Sequence, residues 1–134
     1  MSYLLDTNIC IYIINNSYKE VVDKFKTIAI GDIHISSITV SELFYGVHKS
    51  KNKDDNLIKL DNFLNPFEIL VYDKKASQTY GSLRAKLEKT GNVIGSLDML
   101  IASSAISQNF TLVTNNEKEF NRIGNLKIEN WIEK

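Results

Sequence analysis

Three observations predict an α/β fold with a mostly parallel central sheet. Short β-like runs recur along the chain, segments of helical spacing fill the gaps between them, and no internal repeat or low-complexity tract interrupts the alternation. Strands that alternate with helices build βαβ units, whose sheet is parallel and covered on both faces. The chain of 134 residues, 43% of them hydrophobic, has material for a proper core and is expected to be one domain, residues 1–134.

The first run, "YLL" at 3–5, stops on Asp6 and leads into the apolar segment "ICIYII" at 9–14. Next, "VVDKFKTIAI" sets Val21, Val22, Phe25 and Ile28 on one helical face. A second strand is expected at "IHIS" (33–36), followed by a helix carrying Leu43, Phe44 and Val47. The polar run "KSKNKDDN" (49–56) then reads as a solvated loop. "FEILVY" (67–72) is the third strand, just after Pro66, the single proline. A long helix over 76–91 spaces Tyr80, Leu83 and Leu87 along one face and ends at Gly91, a residue suited to helix termination. "SLDMLIASSAISQNF" (96–110) is a further helix, with small residues that allow close packing on a sheet. "TLVT" (111–114) is the fourth strand and "LKIEN" (126–130) a weaker fifth.

Charge and cysteine content narrow the function classes. Sixteen basic and sixteen acidic residues cancel, so a polyanionic partner has to be met by a local patch or by metal ions. The single cysteine, Cys10, excludes an internal disulfide and any CxxC metal knuckle. The N-terminus lacks a basic region, Asp6 breaks its apolar run, and "ICIYII" is too short to span a bilayer. A cytoplasmic protein without membrane association is the expectation.

Four acids fall near the expected strand ends and helix starts: Asp6, Glu42, Asp98 and Glu119. Each has a local explanation. Asp6 is an acceptable N-cap, Thr39 and Glu42 form a T-x-x-E capping box, and Asn116 and Glu119 resemble one. Asp98 lies two residues after Ser96, a candidate N-cap, where the helix dipole favours a carboxylate. Taken together, they suggest something else. Parallel strands share a carboxyl edge, and ligands of open α/β sheets bind along it. Acids gathered there repel and raise one another's pKa values. No lysine or arginine lies within two residues of Asp6, Glu42 or Asp98, and Lys118 and Arg122 flank Glu119 alone. A hard divalent cation, Mg²⁺ or Mn²⁺, relieves such crowding. Thr7, Thr114, Asn115 and Asn116 are the neighbours suited to orient the ligating acids by hydrogen bonds.

The ordered series "LLDTN", "SxxTxSELxxG", "IGxxDxLIA" and "LVTNNxxEFxRI" resembles the PIN-domain family, specifically the VapC toxins of bacterial toxin–antitoxin pairs, from Tyr3 through Trp131. The stretch "YGSLRAKLEKTGNVIGSLDMLIA" is similar to the branch that cuts initiator tRNA in the anticodon region. The resemblance implies a three-layer α/β/α domain that cleaves RNA with a divalent metal, usually as a homodimer. It also implies a cognate VapB-type antitoxin that wraps the protein and blocks the acidic cleft, with operator DNA met only through that antitoxin. By position, Asp6, Glu42 and Asp98 match the family's three central acids. Asn116 stands where many members have aspartate, and Glu119 supplies an acid one helical turn later. Water rather than a 2′-hydroxyl is then expected to attack, leaving a 5′-phosphate.

Other residues carry less. His34 and His48 are too few and too far apart for a zinc site, and Cys10 is expected in the core. Arg84 and Lys86, on the long helix beside Tyr80, are the candidates for RNA phosphate contacts. A phosphoacceptor domain would want paired acids after the first strand and a lysine after a late one. It would use Asp73 as acceptor, yet "LLDTN" has one acid and "TLVTNN" no lysine. A phosphatase with an aspartate nucleophile would want a second acid where Asn8 stands. The alternative that remains is a PIN-like domain that binds RNA or a partner without cutting.

Overall fold

A computed structural model describes residues 1–133. Its sheet contains β1 (Tyr3–Leu5), β2 (Ile33–Ser36), β3 (Glu68–Leu70), β4 (Thr111–Val113) and β5 (Ile128–Glu129). All are parallel, in the order β3-β2-β1-β4-β5. The chain therefore builds outward from β1 to β3, crosses back, and continues from β4 on the other side of β1. The carboxyl ends of β1 and β4 form the switch point, where an open parallel sheet leaves a crevice.

Period-two alternation assigns the two faces. Tyr3 and Leu5 of β1 and Val113 of β4 join one buried cluster, while Leu4 and Leu112 join the other. The first cluster is covered by α1 (Thr7–Asn15), α2 (Lys19–Thr27), α3 (Ser37–His48) and α4 (Lys53–Leu64), through Ile9, Cys10, Val21, Leu43, Val47 and Leu60. The second is covered by α5 (Lys74–Lys89), α6 (Ser96–Gln108) and α7 (Glu117–Phe120), through Leu83, Leu87, Met99, Ile101 and Phe120. The three-layer α/β/α architecture expected from the sequence is present. Cys10 is buried in the core, as expected, and burial raises its thiol pKa. Trp131, near the C-terminus, meets Tyr3 edge-on at 5.7 Å between ring centroids.

Several boundaries differ from the sequence reading. The loop expected over 49–56 ends at Asn52, because α4 starts at Lys53. Asp54 and Asp55 sit in its first turn, where carboxylates suit the helix dipole, and Leu60 is buried a turn and a half later. The polar opening of this helix concealed the apolar face that follows. The third strand is shorter than "FEILVY": Phe67 precedes it and packs against Phe25 and Phe63. α2 ends at Thr27, so Ile28 leaves the helix. α5 begins at Lys74, capped by Asp73, whose carboxylate accepts from the Ala76 amide at 2.9 Å. The acid weighed as a phosphoacceptor is thus a cap. Gly91 follows the end of α5 with φ +71°, and the Asn92 amide reaches back to the Leu87 carbonyl, a glycine-terminated helix end.

Phe120, fully buried, anchors the short α7 behind the carboxyl end of β4. Truncating it to Ala is expected to cost about 3–5 kcal/mol of unfolding free energy. Urea denaturation followed by circular dichroism measures this, and a loss below about 1 kcal/mol would contradict the packing described.

Candidate active site

Each acid owes its place to a strand end or helix start. Asp6 follows β1, where its amide donates to the Val113 carbonyl at 3.0 Å and so continues the ladder with β4. Its side chain turns onto α1: Oδ1 accepts from the Ile9 amide at 2.9 Å. The other oxygen accepts from the Thr114 hydroxyl at the end of β4. Asp6 is only 6% exposed.

Glu42 has no capping role. The N-cap of α3 is Ser36, whose hydroxyl oxygen accepts from the Thr39 amide at 3.0 Å. Glu42 therefore falls within the helix, and its Oε1 accepts from the Thr7 hydroxyl at 2.6 Å. The expected T-x-x-E box is absent because the helix starts earlier than the pattern implies. Asp98 is the third residue of α6, whose N-cap is Gly95 rather than Ser96 and makes no side-chain cap bond. Glu119 lies on α7 in contact with Asp98, and its Oε2 accepts from the Asn116 side chain at 3.2 Å. A true capping box would engage the Asn116 backbone amide, but that amide donates to Thr114 Oγ1 at 2.9 Å. Of the four local explanations, two describe the geometry: Asp6 caps α1, and Asp98 lies in the first turn of α6, where the helix dipole favours a carboxylate, although the N-cap is Gly95.

A cavity of about 110 Å³ opens among these groups, lined by Asp6, Thr7, Asn8, Glu42, Asp98 and Asn116. Among the described residues no lysine, arginine or histidine lines it. His34 stacks on Phe110 at 4.4 Å and His48 ends α3. Burial pushes the Asp6 carboxyl up to about 6, against the lowering effect of the Thr114 and Ile9 hydrogen bonds, and the Glu42 charge adds to the rise. Asp98 is also raised to about 6, by burial first, then by its hydrogen bond and charge contact with Glu119, then by Asp6 and Glu42. Neighbouring acids thus add to the effect of burial at Asp6 and Asp98.

The remaining expectations divide. Thr7, Thr114 and Asn116 bond to acids as foreseen, whereas Asn115 is exposed and accepts from the Asn130 side chain instead. Arg84 and Lys86 do not line the cavity. Arg84 donates to Tyr80 and pairs with Glu88 along its own helix, and Lys86 is exposed. Sequence reasoning did not select Asn8, which lines the cavity, nor Thr39, whose hydroxyl lies 3.3 Å from that of Thr7. Adjacency to Asp6 is the available signal for Asn8, and the T-x-x-E pattern assigns Thr39 to a cap. Beyond Glu42 lies an apolar groove of about 220 Å³ between α1, α3 and α4, lined by Ile11, Ile14, Leu43, Val47 and Leu60, with Glu42 on its wall as well.

The donor set consists of hard oxygens and neutral amides, the kind that Mg²⁺ or Mn²⁺ takes. Among the described residues no three of His, Cys, Asp and Glu are gathered closely enough to cage an ion without help. Mg²⁺ keeps several waters and is customarily held by one or two carboxylates. The residues fit in chemistry.

Fold and site together define a class: parallel α/β proteins with carboxylates converging on the switch point of the sheet. A model of the PIN domain matches residues 3–126, and the chain belongs to the PIN-domain family. It is 52% identical over 132 residues to a protein of Rickettsia felis named Ribonuclease VapC2, covering 98% of each chain. It is 39% identical over 131 residues to the tRNA(fMet)-specific endonuclease VapC of Shigella flexneri, again covering 98% of each. A crystal structure of VapBC2 from Rickettsia felis bound to a DNA fragment from its promoter contains a chain that superposes with a TM-score of 0.91. The two share 50% identity over 98% of this chain and 99% of that one.

The raised carboxyls tie stability to pH with a definite sign. From about pH 4 to 6, folded Asp6 and Asp98 hold protons that the unfolded chain has released. Their contribution therefore favours folding below that window and is lost as pH rises through it. Asp98→Asn is expected to unfold at higher urea concentration than the parent at about pH 7.5 in EDTA, the difference shrinking towards about pH 4. A difference that grew towards acid would reverse the assignment.

Proposed function

We propose that this chain is a divalent-metal-dependent endoribonuclease, the toxin of a VapBC-type toxin–antitoxin pair, acting on tRNA with initiator tRNA favoured. One observation carries the reading: Asp6, Glu42 and Asp98 line one cavity, Glu119 contacts Asp98, and among the described residues no cationic side chain lines that cavity. The relatives support the rest. Ribonuclease is in the name of the Rickettsia felis protein, and tRNA(fMet) specificity is in that of the Shigella flexneri protein.

Asp6, Asp98, Glu42 and Glu119 would hold Mg²⁺ or Mn²⁺, directly or through waters that the ion retains. When bound, the ion supplies positive charge against the scissile phosphate and makes water easier to deprotonate. The acids would also help to take that water's proton, and Glu119, in contact with Asp98, would act with them. Thr114 and the Ile9 amide keep Asp6 in one orientation, and Thr7 does the same for Glu42. Among the described residues the ionisable groups that line the cavity are carboxylates, and acid–base work would fall to them. Attack by water would leave a 5′-phosphate and a 3′-hydroxyl.

The apolar groove between α1, α3 and α4 is where an apolar segment of a VapB-type antitoxin would dock, and Glu42 joins that groove to the acidic cavity. A segment seated there would stand against the acids and exclude RNA. The solved VapBC assemblies of Rickettsia felis and Salmonella typhimurium support such a partner, and both are bound to DNA as complexes.

Incubating antitoxin-free protein with total tRNA, in Mg²⁺ or Mn²⁺ and in EDTA, tests the reading. Discrete cleavage in metal, its loss in EDTA, and a drop of about 10²-fold or more in Asp6→Asn and Asp98→Asn are expected. Cleavage that survives EDTA or both substitutions overturns the mechanism. Folded protein that binds tRNA but never cuts it establishes the binding-only alternative.

A further inference from the structure

We propose that Thr39 is a positioning residue, fixing Glu42 through the hydroxyl of Thr7. The geometry dictates the direction of the chain of bonds. Thr7 Oγ1 has one proton and two neighbours, Glu42 Oε1 at 2.6 Å and Thr39 Oγ1 at 3.3 Å. The proton goes to the carboxylate, because that contact is shorter and its acceptor is charged. Thr7 Oγ1 is then left with lone pairs facing Thr39, and the Thr39 hydroxyl donates to it. The relay runs Thr39 to Thr7 to Glu42.

Each member is placed by an independent constraint. Thr39 is fully buried, and its amide is tied to the Ser36 cap, so its side chain has a fixed origin. Thr7 opens α1 immediately after Asp6. Glu42 is half-buried and lies one turn beyond Thr39 on α3. A glutamate has three side-chain torsions, and one hydrogen bond to a freely rotating hydroxyl orients it poorly. A second hydroxyl, buried and aimed at the first, removes that rotation, and linked hydrogen bonds polarise one another. Outer partners of this kind characteristically change metal affinity by about 10–100-fold when removed.

The inference rests on the metal-dependent reading for its consequence, though not for its geometry, and the experiment separates the two. In metal-free protein, side-chain NMR relaxation of Glu42 is expected to report one ordered conformer in the parent and in Thr39→Ser. Averaging is expected in the near-isosteric Thr39→Val, or in Thr39→Ala should the valine variant not fold. Mn²⁺ titration followed by electron paramagnetic resonance is expected to show about 10-fold weaker binding in Thr39→Val and near-parent binding in Thr39→Ser. In a Glu42→Ala background, Thr39→Val should add nothing. The relay is overturned if Glu42 stays ordered in Thr39→Val, if Thr39→Ser loses as much as Thr39→Val, or if the loss persists without Glu42. Parent protein that binds no Mn²⁺ overturns the nuclease reading instead, and the order of Glu42 in the metal-free variants still decides the relay.

Discussion

The buried carboxylate of Asp6 is the point at which sheet, helices and site meet. A carboxylate taken out of water has to find replacement hydrogen bonds or bind a proton. Asp6 has both oxygens engaged, one by the first turn of α1 and one by Thr114 at the end of β4. The two strands that flank the switch point are thereby joined by a side chain as well as by the backbone ladder. These bonds do not fully replace water, since the carboxyl still titrates near 6. The residue is held in place and kept discontented there.

That discontent is destabilising at neutral pH, and the rest of the fold has to overcome it. Both faces of the sheet are closed by apolar side chains, with Leu4, Leu5, Leu112 and Val113 entirely buried. Burying such side chains contributes about 1.5–3 kcal/mol each relative to exposure. Helix ends are also tied down: Asp6, Ser36 and Asp73 cap α1, α3 and α5, and Asn16 and Asn109 adopt the left-handed conformation that closes α1 and α6.

Much of this was legible in the sequence, for identifiable reasons. β1, β2 and β4 announce themselves because buried parallel strands are short apolar runs, and the edge on which Asp6 and Thr114 fall follows from parallelism alone. The beginning of α4 was hidden because Asp54 and Asp55 look like loop residues, although the helix dipole welcomes them. The cap assignments failed for a subtler reason. T-x-x-E is a local pattern, while the start of α3 is set by Ser36 at the end of β2, three residues earlier. Once the cap moves, Thr39 and Glu42 are released for other contacts, and a pairing across more than thirty residues to Thr7 takes them up. A contact of that range leaves no trace in local spacing.

The choice of neighbours completes the physical picture. A lysine or arginine beside these acids would relieve their repulsion at once, and it would also occupy the place a cation needs. The chain uses neutral donors instead: Thr7 on Glu42, Thr114 on Asp6 and Asn116 on Glu119. A neutral hydroxyl or amide fixes the direction of a carboxylate without cancelling its charge, so the site is ordered and strongly negative at the same time. Those two properties are in conflict for any arrangement built from ion pairs. Under the proposed function they are both required, because the acids have to be aimed before an ion arrives and still attract it. The polar residues around the acids are therefore chosen for what they lack as much as for what they donate.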